Sequence, residues 1–188
     1  MFGSFSITGS TLGHGMPPIF RIGKSLLIFN VVIALLVTGC AKDDEADVRD
    51  IISAWIALKG TIYFQSQSGC TAALFRTDRV ALSSEIVRVK NVPSGLSALQ
   101  QGATVAFDVP DLSPSQVSEQ ITTANLAEGI GVISSASGGR RCMNDDMVNR
   151  FYGALTTPTA VLIFDTKSNA LAVMRPELDL IFFTRGDV

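Results

Sequence analysis

The sequence predicts an α+β fold: a single small domain on an antiparallel sheet, with a C-terminal β-meander and about three helices. Segments with apolar residues at helical spacing are mixed with short runs rich in β-branched and aromatic residues. Residues 160–184 hold three such runs in close succession, separated by turn-forming residues. The length of 188 residues suits one ordinary domain plus a targeting segment.

The domain is predicted to begin with a helix over residues 47–58. Its apolar residues recur at helical spacing, acidic residues occupy the first turn, and Lys59-Gly60 would end it. Trp55 and Ile56 are expected on its buried side, with Trp55 as a core residue rather than a ligand-stacking one.

Four runs between residues 61 and 109 favour strands, because they alternate or are rich in β-branched and aromatic residues. These runs are residues 61–66, 70–76, 85–92 and 104–109. The second run is equally compatible with a short helix, and one or two helical turns are predicted at 96–101.

A second helix is predicted to begin after Ser113. Ser113 would cap it, Pro114 would occupy the first turn, and Gln116 would complete a capping box. Gly129 is its expected C-terminal cap. Residues 131–139, which are Gly- and Ser-rich, are predicted to be flexible.

The third helix is predicted over residues 145–155, with Asn144 as its cap. Strands at 160–164, 171–174 and 180–184 then form the predicted meander. In the last strand, alternation is expected to bury one of the two residues Phe182 and Phe183 and to expose the other. That pattern is typical of a half-buried edge strand.

The N-terminal part of the chain has the features of an export signal. Arg21 and Lys24 form a positive region, and the apolar run from Ser25 to Val37 is shorter than the about 20 residues of a membrane-spanning helix. Residues 1–15 are uncharged and fit no such signal, so translation is expected to start at Met16.

The run ends in Val37-Thr38-Gly39-Cys40, which resembles the lipobox of bacterial type II signal peptides. The resemblance implies a diacylglyceryl group on the Cys40 thiol and cleavage between Gly39 and Cys40. By resemblance to Gram-negative sorting rules, Ala41 favours the outer membrane, with the domain facing the periplasm. The rest of the chain loosely resembles small predicted proteobacterial lipoproteins with no assigned activity, so no functional residue beyond Cys40 carries over.

These features divide the chain into a cleaved segment, residues 1–39, a lipid anchor and tether, residues 40–46, and an α+β domain, residues 47–188. With Cys40 taken by lipid, Cys70 and Cys142 remain and are expected to form a disulfide in an oxidising compartment. The alternative is two separate buried thiols.

Several function classes are disfavoured by composition. The only histidine, His14, lies in the cleaved segment, which removes His-dependent catalysis and His-ligated metals from the mature chain. No metal or other cofactor is predicted. Without residues 1–39 the chain has 17 acidic and 13 basic residues, which does not favour nucleic-acid binding.

One anion site is considered at Gly138-Gly139-Arg140-Arg141, where two guanidinium groups precede a helix. The competing interpretation is a loop that presents Cys142 to its partner. The same helix start carries Asp145 and Asp146, which would repel an anion and are better explained as favourable charges at a helix N-terminus.

The expected function is therefore that of a non-catalytic envelope lipoprotein, anchored to the membrane and binding a protein or another envelope component nearby. Two alternatives stay open. One is a histidine-free periplasmic hydrolase that uses carboxylates, and the other is a module that binds small anions at Arg140 and Arg141.

Overall fold

A seven-stranded sheet forms the centre of the protein, in the order β1-β2-β7-β6-β5-β4-β3. The computed structural model describes residues 43–186, apart from the side chains of 79 and 80. All neighbouring strands are antiparallel except β3 and β4, which are parallel. The strands are β1 Ile56–Gln67, β2 Cys70–Leu82, β3 Val87–Val89, β4 Val105–Phe107, β5 Val161–Asp165, β6 Ala170–Arg175 and β7 Leu180–Gly186. The predicted α+β class is confirmed.

Five α-helices lie in the described part of the chain, where about three were predicted. They are α1 Glu45–Ser53, α2 Val92–Gln100, α3 Pro114–Ala124, α4 Leu126–Gly139 and α5 Asp145–Leu155. Short 3-10 turns follow α4 at Arg140–Cys142 and β6 at Pro176–Leu178. The predicted helix starts at Pro114 and Asp145 are confirmed, with the Ser113–Gln116 capping box and the Asn144 cap in place.

Both faces of the sheet are covered, which gives two hydrophobic cores. One core joins the sheet to α2, α3, α4 and α5 and includes Phe182. The other joins the opposite face to α1 and includes Phe183. The expected exposure of one of these two phenylalanines is therefore wrong: both are buried, because helices cover both faces of the sheet. The strand β7 is also not an edge strand, since it lies between β2 and β6.

The first helix is shorter at its C-terminal end than predicted. It ends at Ser53, and Ile56 already pairs with Leu82 as the first residue of β1. The apolar spacing continued past the helix end because Trp55 and Ile56 are also buried, within the same core as α1. Burial alone therefore did not distinguish the helix end from the strand start.

The segment 131–139 is helical, so the prediction of a flexible Gly/Ser stretch is wrong. Gly129 does not end α3 but lies inside α4, and the break comes at Asn125, whose side chain accepts hydrogen bonds from the first amides of α4. A Cβ at Gly129 would collide with Thr122 of α3, so this glycine permits close approach of the two helices. Gly138 and Gly139 lie similarly close to β7.

The C-terminal meander is confirmed: β5 pairs with β6 and β6 with β7, each antiparallel. The turn between β5 and β6 is stabilised by Asp165, which accepts a hydrogen bond from the Ser168 amide at 3.0 Å. The same turn holds α4, because the buried Ser135 hydroxyl lies 3.1 Å from the Asn169 carbonyl. These contacts fix one side of α4 against the sheet.

Candidate functional site

The predicted disulfide between Cys70 and Cys142 is present. Cys70 begins β2, and Cys142 ends the 3-10 turn after α4. The turn is held further by the Tyr63 hydroxyl, which donates to the Cys142 carbonyl at 2.7 Å. The link therefore fixes the end of α4 to the β1–β2 hairpin.

Asp43 is fixed to the same end of the sheet. Its carboxylate accepts a hydrogen bond from the Thr71 hydroxyl at 2.6 Å and pairs with the Arg185 guanidinium, also at 2.6 Å. We call this region the Asp43 end; it surrounds a depression of about 260 Å³ lined by Asp43, Gln67, Gly69, Cys70, Thr71, Arg185 and Gly186. Helix α1 starts at Glu45, so ordered structure begins before the predicted domain start at residue 47.

The two arginines of the predicted anion site have different surroundings. The Arg141 guanidinium donates to the Gly69 carbonyl at 2.5 Å. The Arg140 guanidinium carbon lies 5.7 Å from the ring centre of Tyr152. Arg141 thus stabilises the disulfide-linked turn, whereas Arg140 projects toward a groove between helices.

This groove, the α4 groove, lies between α3, α4 and α5 and has a volume of about 280 Å³. Its floor and walls are mostly apolar, and Arg140 is the only charged lining residue among those the structure describes. The lining residues are Ser115, Ser118, Val132, Ile133, Ala136, Ser137, Arg140, Phe151, Tyr152, Leu155 and Leu171.

An apolar stripe on α4, which sequence reasoning missed, reaches the groove at Ile133. Leu126, Ile130 and Ile133 are 64%, 49% and 48% exposed and lie on one side of the helix. Tyr152 of α5, at 47% exposure, lines the same groove. The i, i+4, i+7 spacing was available in the sequence, but the glycines between these residues favoured a loop instead.

A larger depression of about 500 Å³ lies between α2 and α3. Gln116, Glu119, Gln120 and Thr123 contribute polar side chains to it. No cation lines it among the described residues. Its lining therefore indicates no particular class of ligand, whereas the α4 groove combines an apolar wall with a single positive charge.

Arg88, Lys90 and Asp108 form a cluster of charges at the ends of β3 and β4 that holds these strands together. Burial raises the pKa of Asp108, but hydrogen bonds and charges from Lys90 and Arg88 together lower it below its ordinary value of 3.8. Lys90 Nζ lies 2.5 Å from the carboxylate. Arg88 and Lys90, in and just after β3, thus link this strand to Asp108, the residue that follows the neighbouring parallel strand β4.

Within residues 43–186, no group of three or more His, Cys, Asp or Glu residues comes together as a metal site would require. Of the two acids at the start of α5, Asp146 pairs with Arg150 at 2.8 Å. Both acids lie in the first turn, where the helix dipole favours negative charge. The carboxylate-hydrolase alternative stays a prediction.

Comparisons of the chain with protein-family models, curated proteins and solved structures give no match. Within the described residues, no helix is long and apolar enough to cross a membrane. The predicted export signal and the lipobox-like motif around Gly39 and Cys40 lie outside the described residues.

Proposed function

We propose that this protein is a bacterial envelope lipoprotein without catalytic activity, anchored through Cys40 and binding an envelope component in the α4 groove. The anchor follows from the lipobox resemblance of Val37-Thr38-Gly39-Cys40. The binding role is supported by one observation above the others: an apolar groove with a lone guanidinium, open to solvent and bordered by exposed apolar side chains.

The Asp43 end would then lie close to the membrane surface. Only two residues separate Cys40 from Asp43, so three chain steps of at most about 3.6 Å keep their Cα atoms within about 11 Å. Asp43 is itself attached to β2 and β7 through Thr71 and Arg185. Lipidation at Cys40 would hold this end of the sheet at the headgroups rather than let the domain move freely.

The attachment would be durable, because each buried methylene contributes about 0.8 kcal/mol and stable anchoring takes more than one chain. A diacylglyceryl group supplies two chains. The outer membrane, with the domain on the periplasmic side, is the proposed location, and the oxidising periplasm suits the Cys70–Cys142 disulfide.

The test is the intact mass of the protein purified from the membranes of its host, before and after reduction. The expected mass is that of a chain starting at Cys40 with diacylglyceryl, gaining two hydrogens on reduction. A Cys40→Ala variant should lose the lipid and the membrane fractionation, whereas Cys142→Ser should keep both. A full-length chain without lipid would contradict the anchor.

The binding role is tested separately by recovering what the protein holds. Protein extracted in a mild detergent is delipidated with solvent, and the released small molecules are measured by mass spectrometry. An Ala136→Phe variant, which places a ring in the groove, serves as the comparison. A compound retained by the wild type and lost from this variant is expected, and identical extracts would count against a binding site there.

A further inference from the structure

We infer that the α4 groove binds a single-chain anionic amphiphile, with the hydrocarbon chain between α3, α4 and α5 and the headgroup at Arg140. This rests on the proposed function for the source of the ligand, the cell envelope. The chemistry itself comes from the groove, and it names what the bound envelope component would be.

The walls fit a hydrocarbon chain. Val132, Phe151 and Leu171 are buried side chains that present apolar atoms to the groove, and Ile133 and Leu155 extend this surface toward solvent. Transfer of an apolar group from water onto such a surface lowers the free energy. A hydrocarbon chain is favoured as that group because its burial leaves no polar group without a hydrogen-bond partner.

The rim fits an anionic headgroup. The Arg140 guanidinium forms no ion pair within the described residues and is oriented beside Tyr152. A guanidinium presents its donors in a planar fork that matches carboxylate and phosphate oxygens. Ser115 and Ser137, both exposed, place hydroxyl groups on the same groove.

The acids at the start of α5 do not pair with Arg140. Asp146 pairs with Arg150 at 2.8 Å. Within the described residues, no salt bridge joins Arg140 to Asp145 or to Asp146.

The size of the groove favours one chain. Its volume of about 280 Å³ is close to the lower limit of the about 300–1,000 Å³ found for pockets that hold drug-sized ligands. A phospholipid with two chains would exceed it. The exposed residues Leu126 and Ile130 continue the apolar stripe along α4 beyond the groove.

The test uses the protein purified from host membranes and placed in phosphatidylcholine nanodiscs, with empty nanodiscs subtracted. Equilibrium dialysis measures binding of labelled decanoate and decyl phosphate, which compare the two headgroups, and of neutral decanol. Binding of octanoate, which is two methylenes shorter than decanoate, measures how much the hydrocarbon chain contributes to affinity. Since each buried methylene raises affinity about fourfold, octanoate should bind about 15-fold more weakly than decanoate.

Arg140→Gln should weaken binding of the anionic ligands about tenfold, the lower range for a charge-assisted hydrogen bond, because Arg140 is exposed to solvent. Binding of decanol should be unchanged, which a merely structural role of Arg140 would not produce. Arg76→Gln removes an exposed guanidinium from β2, outside the groove, and is the matched control, with binding expected at the wild-type level. Ala136→Phe should weaken binding of all four ligands.

Absence of saturable binding above empty nanodiscs would overturn the inference, as would equal losses for decanol and decanoate in Arg140→Gln. Failure of this inference can be distinguished from failure of the proposed anchor. A chain that carries no lipid but binds decanoate would contradict the anchor and support the groove, whereas a lipidated chain that binds none of the amphiphiles would contradict the groove alone.

Discussion

The contact between Gly138 of α4 and Gly186 of β7 predicts that Gly138→Ala destabilises the protein. A Cβ built at Gly138 would lie 2.5 Å from the Gly186 Cα and 3.3 Å from its carbonyl carbon. Both atoms belong to the backbone, so no side-chain rotation can relieve the overlap. The helix would have to move away from the sheet by about 1 Å to restore normal contact at about 3.5–4.0 Å.

The magnitude follows from two opposing effects. Overpacking a well-packed core costs about 1–3 kcal/mol, and overlap with backbone atoms rather than with a side chain places this site in the upper part of that range. Replacing glycine by alanine in a helix returns about 1 kcal/mol of helix propensity. The net expectation is a loss of about 2 kcal/mol in the free energy of unfolding, or about 6 °C in melting temperature for a domain of this size.

Gly153 of α5 is the matched control, because no atom lies within 4 Å of a Cβ built there. Gly153→Ala should stabilise the protein by about 0.5–1 kcal/mol through the same propensity term. Urea unfolding of both variants, followed by circular dichroism, measures the difference. If Gly138→Ala proved as stable as Gly153→Ala, the close approach of α4 and β7 would be refuted.

Three further predictions concern single contacts. Replacing Cys70 and Cys142 together by serine should cost about 4 kcal/mol, because the loop between them spans 72 residues; unchanged urea unfolding would contradict this. Asp43→Asn should cost about 2 kcal/mol through its charge-assisted hydrogen bonds, whereas Asp44→Asn, at an exposed cap without a side-chain bond, should cost less than about 0.5 kcal/mol. Because the folded pKa of Asp108 is depressed, its stabilisation is present above its ordinary pKa of 3.8 and is lost as pH falls through the folded pKa. Asp108→Asn should therefore be less stable than the wild type near neutral pH, and the gap should close in acid; a gap independent of pH would show that this carboxylate contributes nothing by its charge.

The parts of the fold with strong local signals were predicted correctly from the sequence. The capping residues Ser113 and Asn144 fixed two helix starts, since a side-chain oxygen that bonds the next free amides is a local interaction. The meander followed from three short apolar runs separated by turn residues. The disulfide followed from the cysteine count and from the oxidising compartment that the lipobox resemblance implies.

The errors arose where tertiary packing decided the structure. Glycine costs helix propensity locally, yet Gly129 and Gly138 in α4 allow the helix to approach α3 and β7 closely. Similarly, the burial of both Phe182 and Phe183 depends on helices that cover both faces of the sheet. Neither arrangement can be read from a single segment, because each requires knowledge of the partner surface.

The candidate site was missed for the same reason. Arg140 was identified as a possible anion ligand, but it was grouped with Arg141 by adjacency in sequence. The 3-10 turn directs Arg141 to the Gly69 carbonyl and places Arg140 at the groove. The apolar spacing on α4 would have revealed the groove only if the segment had first been recognised as a helix.

The proposed anchor and the proposed ligand are connected by a short series of contacts. Gly139, next to Arg140, lies so close to β2 that a Cβ there would be 3.2 Å from the Thr71 carbonyl oxygen. The hydroxyl of that threonine binds Asp43, three chain steps from Cys40. A lipid at Cys40 would therefore hold Arg140 near the headgroups, because Arg140 follows the end of α4 that contacts β2. An anionic amphiphile that leaves the bilayer at the anchor would then be close to the guanidinium that we infer binds its headgroup.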